Sequence, residues 1–225
     1  MWRRWWALAL VVTVVLVLLV VTWQRKGRGF ATTSNSWEPP VIVDSILSNE
    51  DCKYIIQKAN SLFTRSSVVG INGADSSRTS ETAWISKDDP VAQKVFNKAC
   101  ELTGKHMGCC EDLQVVRYKP GTYYRAHHDS CCDDSDACKN FETQGGQRVG
   151  TLLVYLNDEF TDGETHFPDH GDVKMKAPPG SAIFFRPMAT DVAQCHPKAI
   201  HAGLPISSGT KYVCNAWVRE SDFKP

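Results

Sequence analysis

The sequence predicts an α+β domain with a sandwich or barrel of strands at its centre, preceded by one transmembrane helix. Residues 5–23 contain no charged side chain and are mostly apolar. Two segments between residues 40 and 104 repeat apolar residues at helical spacing, and short strand-like runs separated by turn residues follow Cys110. Helices followed by many strands, without regular alternation of the two, are typical of the α+β class.

The N-terminal segment "WWALALVVTVVLVLLVVTW" is about long enough to cross a bilayer as a helix, and the tryptophans at both ends favour the membrane interface. It ends without the small-residue cleavage site of a signal peptide, which favours an uncleaved membrane anchor at residues 1–24. Basic residues flank the segment on both sides, so the positive-inside rule leaves its orientation open. The polar stretch 25–39 predicts a flexible linker, and the folded domain is expected over residues 40–225.

Cysteine content bears on the compartment and on possible cross-links. Nine cysteines, several of them clustered, favour an oxidising lumen, in the endoplasmic reticulum or Golgi, over the cytosol. The clusters Cys109/Cys110 and Cys131/Cys132/Cys138 are explained by disulfides or by a zinc site, and the absence of paired C-x2-C motifs at zinc-finger spacing favours disulfides. The pairing stays open, and an odd total leaves at least one thiol free or intermolecular.

The charge balance limits the choice of partner. The chain has 25 Lys and Arg residues against 25 Asp and Glu residues, for a formal net charge of zero. It also lacks a basic stripe along any predicted element. We therefore expect no nucleic-acid partner.

Two helices are predicted before residue 105. The first follows a short β-branched run, with Ser48 as its N-cap and Asp51 in its first turn. Its apolar residues recur at helical spacing: Ile55, Ile56, Ala59 and Leu62. The second, in "DPVAQKVFNKACELTG", is expected to end at Gly104. Its apolar residues are Val91, Val95, Phe96 and Ala99.

The chain after Cys110 reads as a series of short strands. They are predicted in "LQVVRY", "RVGTLLVYLN", "DVKMKAP", "SAIFFRP" and "KYVCNAWVRE". We find neither a solenoid repeat nor a further helical run long enough to alternate with these strands. A sandwich or barrel is the expected result, and its mouth could hold a small ligand or a metal ion.

The pair His127 and Asp129 is the first candidate for metal binding. Side chains two positions apart on a strand share a face, so these two could bind one metal ion while His128 points away and is partly exposed. The third ligand could be any of four later histidines, and spacing alone does not choose among them: His166, His170, His196 and His201. Two histidines and one carboxylate form the facial triad of non-haem Fe(II) oxygenases. Alone, however, an H-x-D pattern more often consists of solvent-exposed polar side chains than of metal ligands.

Four motifs give this pair its context. "RYKPGTYYRAHHD" is followed by "RVGTLLVYLN", "DGETHF" and "HAGLPISSGTKYVCNAW". Together they closely resemble the catalytic domain of prolyl 4-hydroxylases within the Fe(II)/2-oxoglutarate dioxygenases, whose first pattern is R-Y-x-x-G-x-x-Y-x-x-H-x-D. The resemblance covers nearly everything from Pro40 to Arg219. It implies a double-stranded β-helix (jelly-roll) core flanked by N-terminal helices.

The resemblance implies that His127, Asp129 and His201 are the iron ligands. Lys211 would then bind the distal carboxylate of 2-oxoglutarate, because a buried dicarboxylate needs a fixed cationic partner. The alternative is an ordinary solvated lysine on a strand, which the H-x9-K spacing of the family disfavours.

Five further residues match functional positions of the family. Tyr118 and Thr165 match hydroxyl-bearing partners of 2-oxoglutarate. Tyr124, Arg148 and Trp217 match positions associated with the peptide substrate and the oxygen-binding side of the iron. An aromatic and an arginine beside a groove suit an extended proline-rich chain. Structural alternatives stay open, since Tyr118 and Trp217 could be core aromatics and Arg148 an ion-pair partner.

The implied activity is peptidyl-proline 4-hydroxylation coupled to oxidative decarboxylation of 2-oxoglutarate to succinate, with Fe(II) and O2. Ascorbate is implied as the agent that restores over-oxidised iron. The expected partners are a proline-rich protein or peptide and, through the N-terminal helix, a membrane. We expect no obligate second subunit, because 225 residues leave no room for the separate peptide-binding domain of the large animal collagen enzymes.

Two departures from the family pattern stand out. Asp162 in "DGETHF" replaces a glycine, which is expected to alter only a turn. The segment "SCCDDSDACKNFETQGGQ" is longer and richer in cysteine than the common form and is expected to lie over the peptide groove as a lid. It keeps open a second function, an oxygenase of the same fold acting on lysyl side chains or a small molecule. A non-enzymatic binding barrel is disfavoured because all three candidate ligands are present together with Lys211. A nucleic-acid demethylase is disfavoured because demethylases of this superfamily typically have Arg in the role of Lys211, and because the net charge is zero.

Overall fold

Antiparallel strands make up most of the computed structural model, which describes residues 36–66, 76–191 and 193–225. The strands are β1 (Val41–Val43), β2 (Thr64–Arg65), β3 (Glu81–Ile85), β4 (Leu113–Tyr118), β5 (Tyr124–His127), β6 (Arg148–Tyr155), β7 (Phe160–Asp162), β8 (Thr165–Phe167), β9 (Val173–Met175), β10 (Ala182–Phe185), β11 (His201–Gly203), β12 (Ile206–Gly209) and β13 (Lys211–Arg219). The helices are α1 (Asn49–Asn60), α2 (Pro90–Thr103) and α3 (Asp136–Thr143).

The strands form one large and two smaller sheets. The large sheet has the order β1-β10-β6-β13-β4-β3-β2, the second has the order β5-β11-β8-β9, and β12 pairs with β7. Neighbouring strands in the order are distant in sequence, since β13 at the end of the chain lies between β4 and β6. This crossed, antiparallel order is that of a jelly roll rather than of consecutive hairpins.

The hydrophobic core has two layers because successive side chains of a strand alternate between faces. On β6, Leu152 and Val154 pack with the helices, whereas Leu153 and Tyr155 pack between the sheets. The first layer joins α1 and α2 to the outer face of the large sheet. The second layer faces the four-stranded sheet β5-β11-β8-β9, where the candidate site lies.

Both predicted helices are confirmed, with Ser48 as the N-cap of α1 and Gly104 at the end of α2. Leu62 was predicted to continue the apolar face of α1, but the helix ends at Asn60 and Leu62 is exposed. Ser48 accepts the backbone N–H of Asp51, whose side chain in turn accepts the N–H of Ser48, a reciprocal capping box. Asp89 caps α2 ahead of Pro90. Gly104 ends α2 with φ of 69°, a left-handed conformation that glycine adopts without steric cost.

The structure also corrects the sequence prediction. α3 was not expected, because its sequence is polar and lies in the cysteine-rich segment; Ser135 caps it, and Cys138 and Phe141 bury its apolar face. Strands β2 and β3 likewise lie between the two predicted helices. All five predicted strand segments contain a strand, although four of them are shorter than the predicted runs.

No helix in the described part of the chain has the length and apolar character needed to cross a membrane. The predicted anchor at residues 1–24 lies outside the described residues, as does most of the predicted linker at 25–39. At its C-terminal end, Trp37 donates from Nε1 to the carbonyl of Arg186 and Glu38 forms an ion pair with the Arg186 guanidinium. The domain boundaries stay a prediction.

Candidate active site

Three of the predicted site residues meet where β5 and β11 pair. His201, which begins β11, lies opposite His127, which ends β5, and Asp129 follows closely. The Nε2 atoms of His127 and His201 lie 3.5 Å and 3.7 Å from Oδ1 of Asp129. All three candidate ligand atoms lie within 4.8 Å of one another, so one ion could contact all of them. We call these three residues the triad.

Hydrogen bonds orient each triad side chain. Nδ1 of His127 lies 2.8 Å from the carbonyl of Arg125, and Nδ1 of His201 lies 3.0 Å from that of Ala199. An Nδ1–H that donates to a carbonyl leaves Nε2 with its lone pair facing the centre. On Asp129, Oδ2 accepts hydrogen bonds from Thr151 Oγ1 at 2.7 Å and Trp217 Nε1 at 3.0 Å, which leaves Oδ1 free to bind a metal.

The electrostatics of the triad suit metal binding. Burial opposes ionisation of Asp129, yet His201 and His127 hold the pKa of its carboxyl well below the usual range. Burial lowers the pKa of His201 to about 4, and His127 adds to this effect. At neutral pH the carboxylate is therefore charged and His201 is neutral, which are the forms that bind a metal ion. Two imidazoles and one carboxylate fit Fe(II).

The other histidines that were candidates for the third ligand lie elsewhere. His166 is paired with Asp172 at 2.6 Å. The rings of His170 and His196 both contact Trp37. The histidine that begins β11 is thus the one that joins the triad.

His128 turns away from the triad, as predicted. Its Nε2 lies 3.1 Å from the carbonyl of His196, and its Nδ1 accepts the N–H of Ser130 at 3.3 Å. The ring is half-buried, and burial lowers its pKa. His128 therefore supports the backbone that follows the triad.

Lys211, Tyr118 and Thr165 line the same small cavity as the triad. Lys211 lies opposite Tyr118 across β13 and β4 and is 1% exposed. Its Nζ donates to the carbonyl of Gly163 at 2.6 Å, and no carboxylate among the described residues forms an ion pair with it. Burial lowers the pKa of Lys211 to about 7, with Lys176 adding to the effect. A buried amine without a protein counter-ion suits an anionic ligand.

The hydroxyl of Thr165 lies 2.9 Å from that of Tyr155, and the phenol of Tyr118 lies close to the backbone of Gly203. A β-carbon at Gly203 would lie 2.9 Å from the Tyr118 hydroxyl, so a larger residue at this position would displace the phenol. The two predicted hydroxyl partners therefore lie on the lining of one cavity.

Asp162, which departs from the family pattern, lies at the turn between β7 and β8. Asp162 and Gly163 have φ of 63° and 74°, both in the left-handed region. Aspartate tolerates this conformation better than most residues with a side chain. The turn presents the Gly163 carbonyl to Lys211.

A larger cavity of about 390 Å³ adjoins the triad and is lined by the remaining predicted residues, Tyr124, Arg148 and Trp217. The ring of Tyr124 stacks on that of His127 with centroids 3.5 Å apart. The guanidinium of Arg148 lies over the indole of Trp217 at 3.5 Å from its centroid. These three side chains lie beside the metal-binding face.

Arg148 also has the structural partner that the sequence left open. It forms a two-pronged ion pair with Glu111, at 2.7 Å and 2.8 Å. The same carboxylate accepts from Arg219 at 2.8 Å, and all three side chains are largely buried. Arg148 thus lines the cavity and belongs to a charged network beneath it.

Sequence reasoning missed three residues of the site. Arg78 is 5% exposed, lines both cavities and lies over the Tyr124 ring at 4.6 Å. Trp84 lines the larger cavity and is 48% exposed. Thr151 orients Asp129. The first two lie in "RTSETAW", a segment in which no residue was predicted to have a role.

The cysteine-rich segment forms part of the lining of the larger cavity, as expected of a lid. Disulfides join Cys131 to Cys138 and Cys132 to Cys195. These bonds confirm the prediction of disulfides for this cluster. The predicted cross-linking of Cys109/Cys110 is wrong, because both are free thiols, with Cys110 Sγ 3.7 Å from Cys100 Sγ.

Comparisons with known proteins agree with this geometry. The pattern of the 2OG-Fe(II) oxygenase superfamily matches residues 113–219. A chain from Acanthamoeba polyphaga mimivirus that carries a prolyl 4-hydroxylase assignment is 40% identical over 200 residues, covering 88% of this chain and 81% of that one. Prolyl 4-hydroxylase 1 of Arabidopsis thaliana is 32% identical over 205 residues, covering 82% and 70%. The crystal structure of viral collagen prolyl hydroxylase from Paramecium Bursaria Chlorella virus-1, in complex with 2OG, matches with TM-score 0.63 and 32% identity, covering 80% and 96%.

The antiparallel fold and the residues around the two cavities define an iron- and 2-oxoglutarate-dependent dioxygenase. The chain belongs to the prolyl 4-hydroxylase family of the 2OG-Fe(II) oxygenase superfamily.

Proposed function

We propose that this chain hydroxylates peptidyl proline at C4, coupled to oxidative decarboxylation of 2-oxoglutarate to succinate. The observation that carries the proposal is a pair of cavities that meet at the triad: His127 and Asp129 line both cavities, and His201 lines the smaller one. One is lined by the buried amine of Lys211, and the other is a roomier, partly aromatic cavity with the size for part of a peptide. The prolyl 4-hydroxylases that the chain resembles support proline as the substrate.

Within this proposal, His127, Asp129 and His201 hold Fe(II) through two Nε2 atoms and Oδ1. When bound, the metal and cosubstrate supply the oxidation chemistry, in which 2-oxoglutarate loses carbon dioxide and O2 provides the oxygen atom inserted into a C–H bond. Hydrogen bonds from Thr151 and Trp217 hold Asp129 in its binding orientation.

Lys211 binds the distal carboxylate of 2-oxoglutarate, with the hydroxyls of Tyr118 and Thr165 as further donors. A cation that is already buried and fixed by the Gly163 carbonyl loses little side-chain entropy when the anion binds. Tyr124, Arg148 and Trp217 orient the peptide and the oxygen-binding side of the metal. Ascorbate serves as the reductant that restores over-oxidised iron.

We further propose that residues 1–24 anchor the chain in a membrane, with the catalytic domain in the lumen of the endoplasmic reticulum or Golgi. Two disulfides support an oxidising compartment. We also propose that the domain is active without a second subunit. The mass of the active species in the reconstituted protein described below tests this.

The test reconstitutes the full chain anaerobically with Fe(II), adds O2, and follows succinate formation and the mass of a proline-rich peptide. The expected result is peptide-stimulated succinate formation with a gain of one oxygen on the peptide. Variants His201→Ala and Lys211→Ala are expected to lose activity, whereas His170→Ala and Lys198→Ala, which lie outside both cavities, keep it. Turnover without peptide stimulation would redirect the search to lysyl or small-molecule substrates, and no turnover in folded, iron-loaded protein would refute the enzymatic proposal.

A further inference from the structure

The lining of the larger cavity combines two kinds of surface. One part is aromatic and comes from the sheets, with Trp84 and Trp217 at a centroid separation of 6.2 Å. Another part is the segment held by the Cys131–Cys138 disulfide, which brings the carboxylate of Asp133 to the lining. An occupant has to suit both.

The aromatic surface suits a prolyl ring. Trp84 on β3 is 48% exposed, although it is a large apolar side chain next to the triad. Its indole N–H has no hydrogen-bond partner within the described part of the chain. An exposed indole can stack on a proline ring and donate to a peptide carbonyl, which is how aromatic grooves hold polyproline helices.

The carboxylate of Asp133 carries an unpaired negative charge. Hydrogen bonds from Ser135 lower the pKa of Asp133, one of them from the backbone N–H at 2.9 Å. Among the described residues, no cation forms an ion pair with it, whereas its neighbour Asp136 is paired with Lys139 at 3.0 Å. Within this lining the only other carboxylate in the described chain is Asp129 of the triad.

The two arginines of the lining do not cancel this charge. Glu111 binds Arg148 through both carboxylate oxygens. Arg78 is 5% exposed, and its guanidinium lies against the Tyr124 ring. Exposed charge on the cavity is therefore concentrated at Asp133, where a side chain next to the bound proline can reach it from solvent.

We propose that the occupant of this cavity is an extended proline-containing peptide with a lysine or arginine close to the target proline. A prolyl ring stacks on Trp84, and the basic side chain pairs with Asp133. This inference rests on the proposed function and adds to it the charge of the preferred substrate. The cysteine-rich segment, which departs from the common family form, is thus a determinant of specificity.

The test compares two peptides that differ only in a lysine or a glutamate beside the same proline, with hydroxylation followed by the gain in mass. Wild-type protein is expected to favour the lysine peptide in kcat/KM by at least about threefold at low salt, and the preference is expected to shrink as salt is added. Asp133→Asn keeps the acceptor for Ser135 and removes the charge, so it is expected to lower kcat/KM for the lysine peptide by about two- to fivefold, through KM.

Asp134→Asn is the matched control, because Asp134 is an adjacent exposed carboxylate outside the cavity lining. It is expected to leave the peptide preference unchanged. Trp84→Ala is expected to raise the peptide KM about tenfold. Circular dichroism and thermal unfolding verify that the variant is folded. Trp84→Phe keeps a ring and loses the N–H, so its peptide KM is expected to lie between those of the wild type and Trp84→Ala.

The other possible outcomes would overturn this inference, either alone or together with the proposed function. Equal hydroxylation of the two peptides, or equal effects of Asp133→Asn and Asp134→Asn, would overturn the inference and leave the proposed function standing. Failure to hydroxylate either peptide, in protein that forms succinate, would overturn the proposed function and this inference with it.

Discussion

The indole of Trp217 donates from Nε1 to Oδ2 of Asp129 over 3.0 Å. Strand β13 begins with Lys211, in the cosubstrate cavity, and reaches Trp217 beside the metal-binding carboxylate. One strand therefore positions both charged ends of the candidate site. The hydrogen bond to Oδ2 orients the carboxylate and leaves Oδ1 free to bind the metal. Loss of this hydrogen bond is therefore expected to lower the affinity for the metal.

Trp217→Phe is expected to weaken Fe(II) binding by about tenfold, because a metal-binding carboxylate loses one of the two donors that orient it. Anaerobic titration with Fe(II) measures the affinity directly. Trp37→Phe removes a comparable indole hydrogen bond, to the Arg186 carbonyl, and is the control. Unchanged Fe(II) affinity in Trp217→Phe would show that Thr151 alone suffices to orient Asp129.

The affinity for 2-oxoglutarate is expected to fall as pH rises through neutrality. The pKa of Lys211 is lowered to about 7, so its charged form is fully present below that value and is lost above it. If only the ammonium form binds the dicarboxylate, the KM for 2-oxoglutarate rises about fivefold between pH 7 and pH 8. The measurement is the KM for 2-oxoglutarate and for the peptide as a function of pH. A KM for 2-oxoglutarate that stays constant up to pH 9 would contradict the prediction. In Lys211→Arg the dependence should vanish, because a guanidinium stays charged.

The disulfide between Cys132 and Cys195 is expected to hold both the fold and the cavity lining. It spans a sequence separation of 63, so replacing both cysteines by alanine should lower the free energy of unfolding by about 4 kcal/mol. The peptide KM should rise while the 2-oxoglutarate KM stays the same, because the cysteine-rich segment that begins at Ser130 lines only the larger cavity.

The matched comparison removes Cys131 and Cys138, which are separated by 7 positions, and should cost only about 2 kcal/mol. Chemical denaturation of both double variants measures the two values. Equal losses would argue against loop length as the source of the difference.

Glu111 is expected to be essential for stability, because its buried carboxylate pairs with both Arg148 and Arg219. Glu111→Gln leaves two guanidinium groups without their counter-ion, at a cost of about 3–5 kcal/mol. For a chain of this size, that corresponds to a fall in Tm of roughly 6–20 °C. Thermal unfolding checks it, with Glu101→Gln as control, since Glu101 forms only an exposed pair with Lys98. A Tm within about 2 °C of wild type would refute the structural role.

Local features were predictable from the sequence where the signal is short-range. Ser48 and Gly104 marked helix ends because a cap depends on the residue itself and its next few neighbours. Helix α3 was missed because it lacks such a short-range signal. Its sequence is polar, and its stability depends on tertiary contacts: the disulfide from Cys138 to Cys131 and the packing of Phe141, whose ring lies 4.1 Å from the Arg219 guanidinium.

The sequence by itself determined the class of fold, the pair His127 and Asp129, and the choice of His201 and Lys211 through motif order. The pair follows from spacing within a single strand, where alternate side chains share a face, whereas His201 and Lys211 follow from the resemblance to the family's motifs. Spacing alone could not choose among the later histidines or pair the cysteines.

The tertiary structure decided the rest. Antiparallel pairing brings His201 opposite His127, and folding brings Cys195 to Cys132 and places Trp84 and Asp133 on one cavity. Each of these relationships joins residues far apart in the chain. Such contacts depend on the register and crossing order of whole strands, which no local pattern of residues encodes.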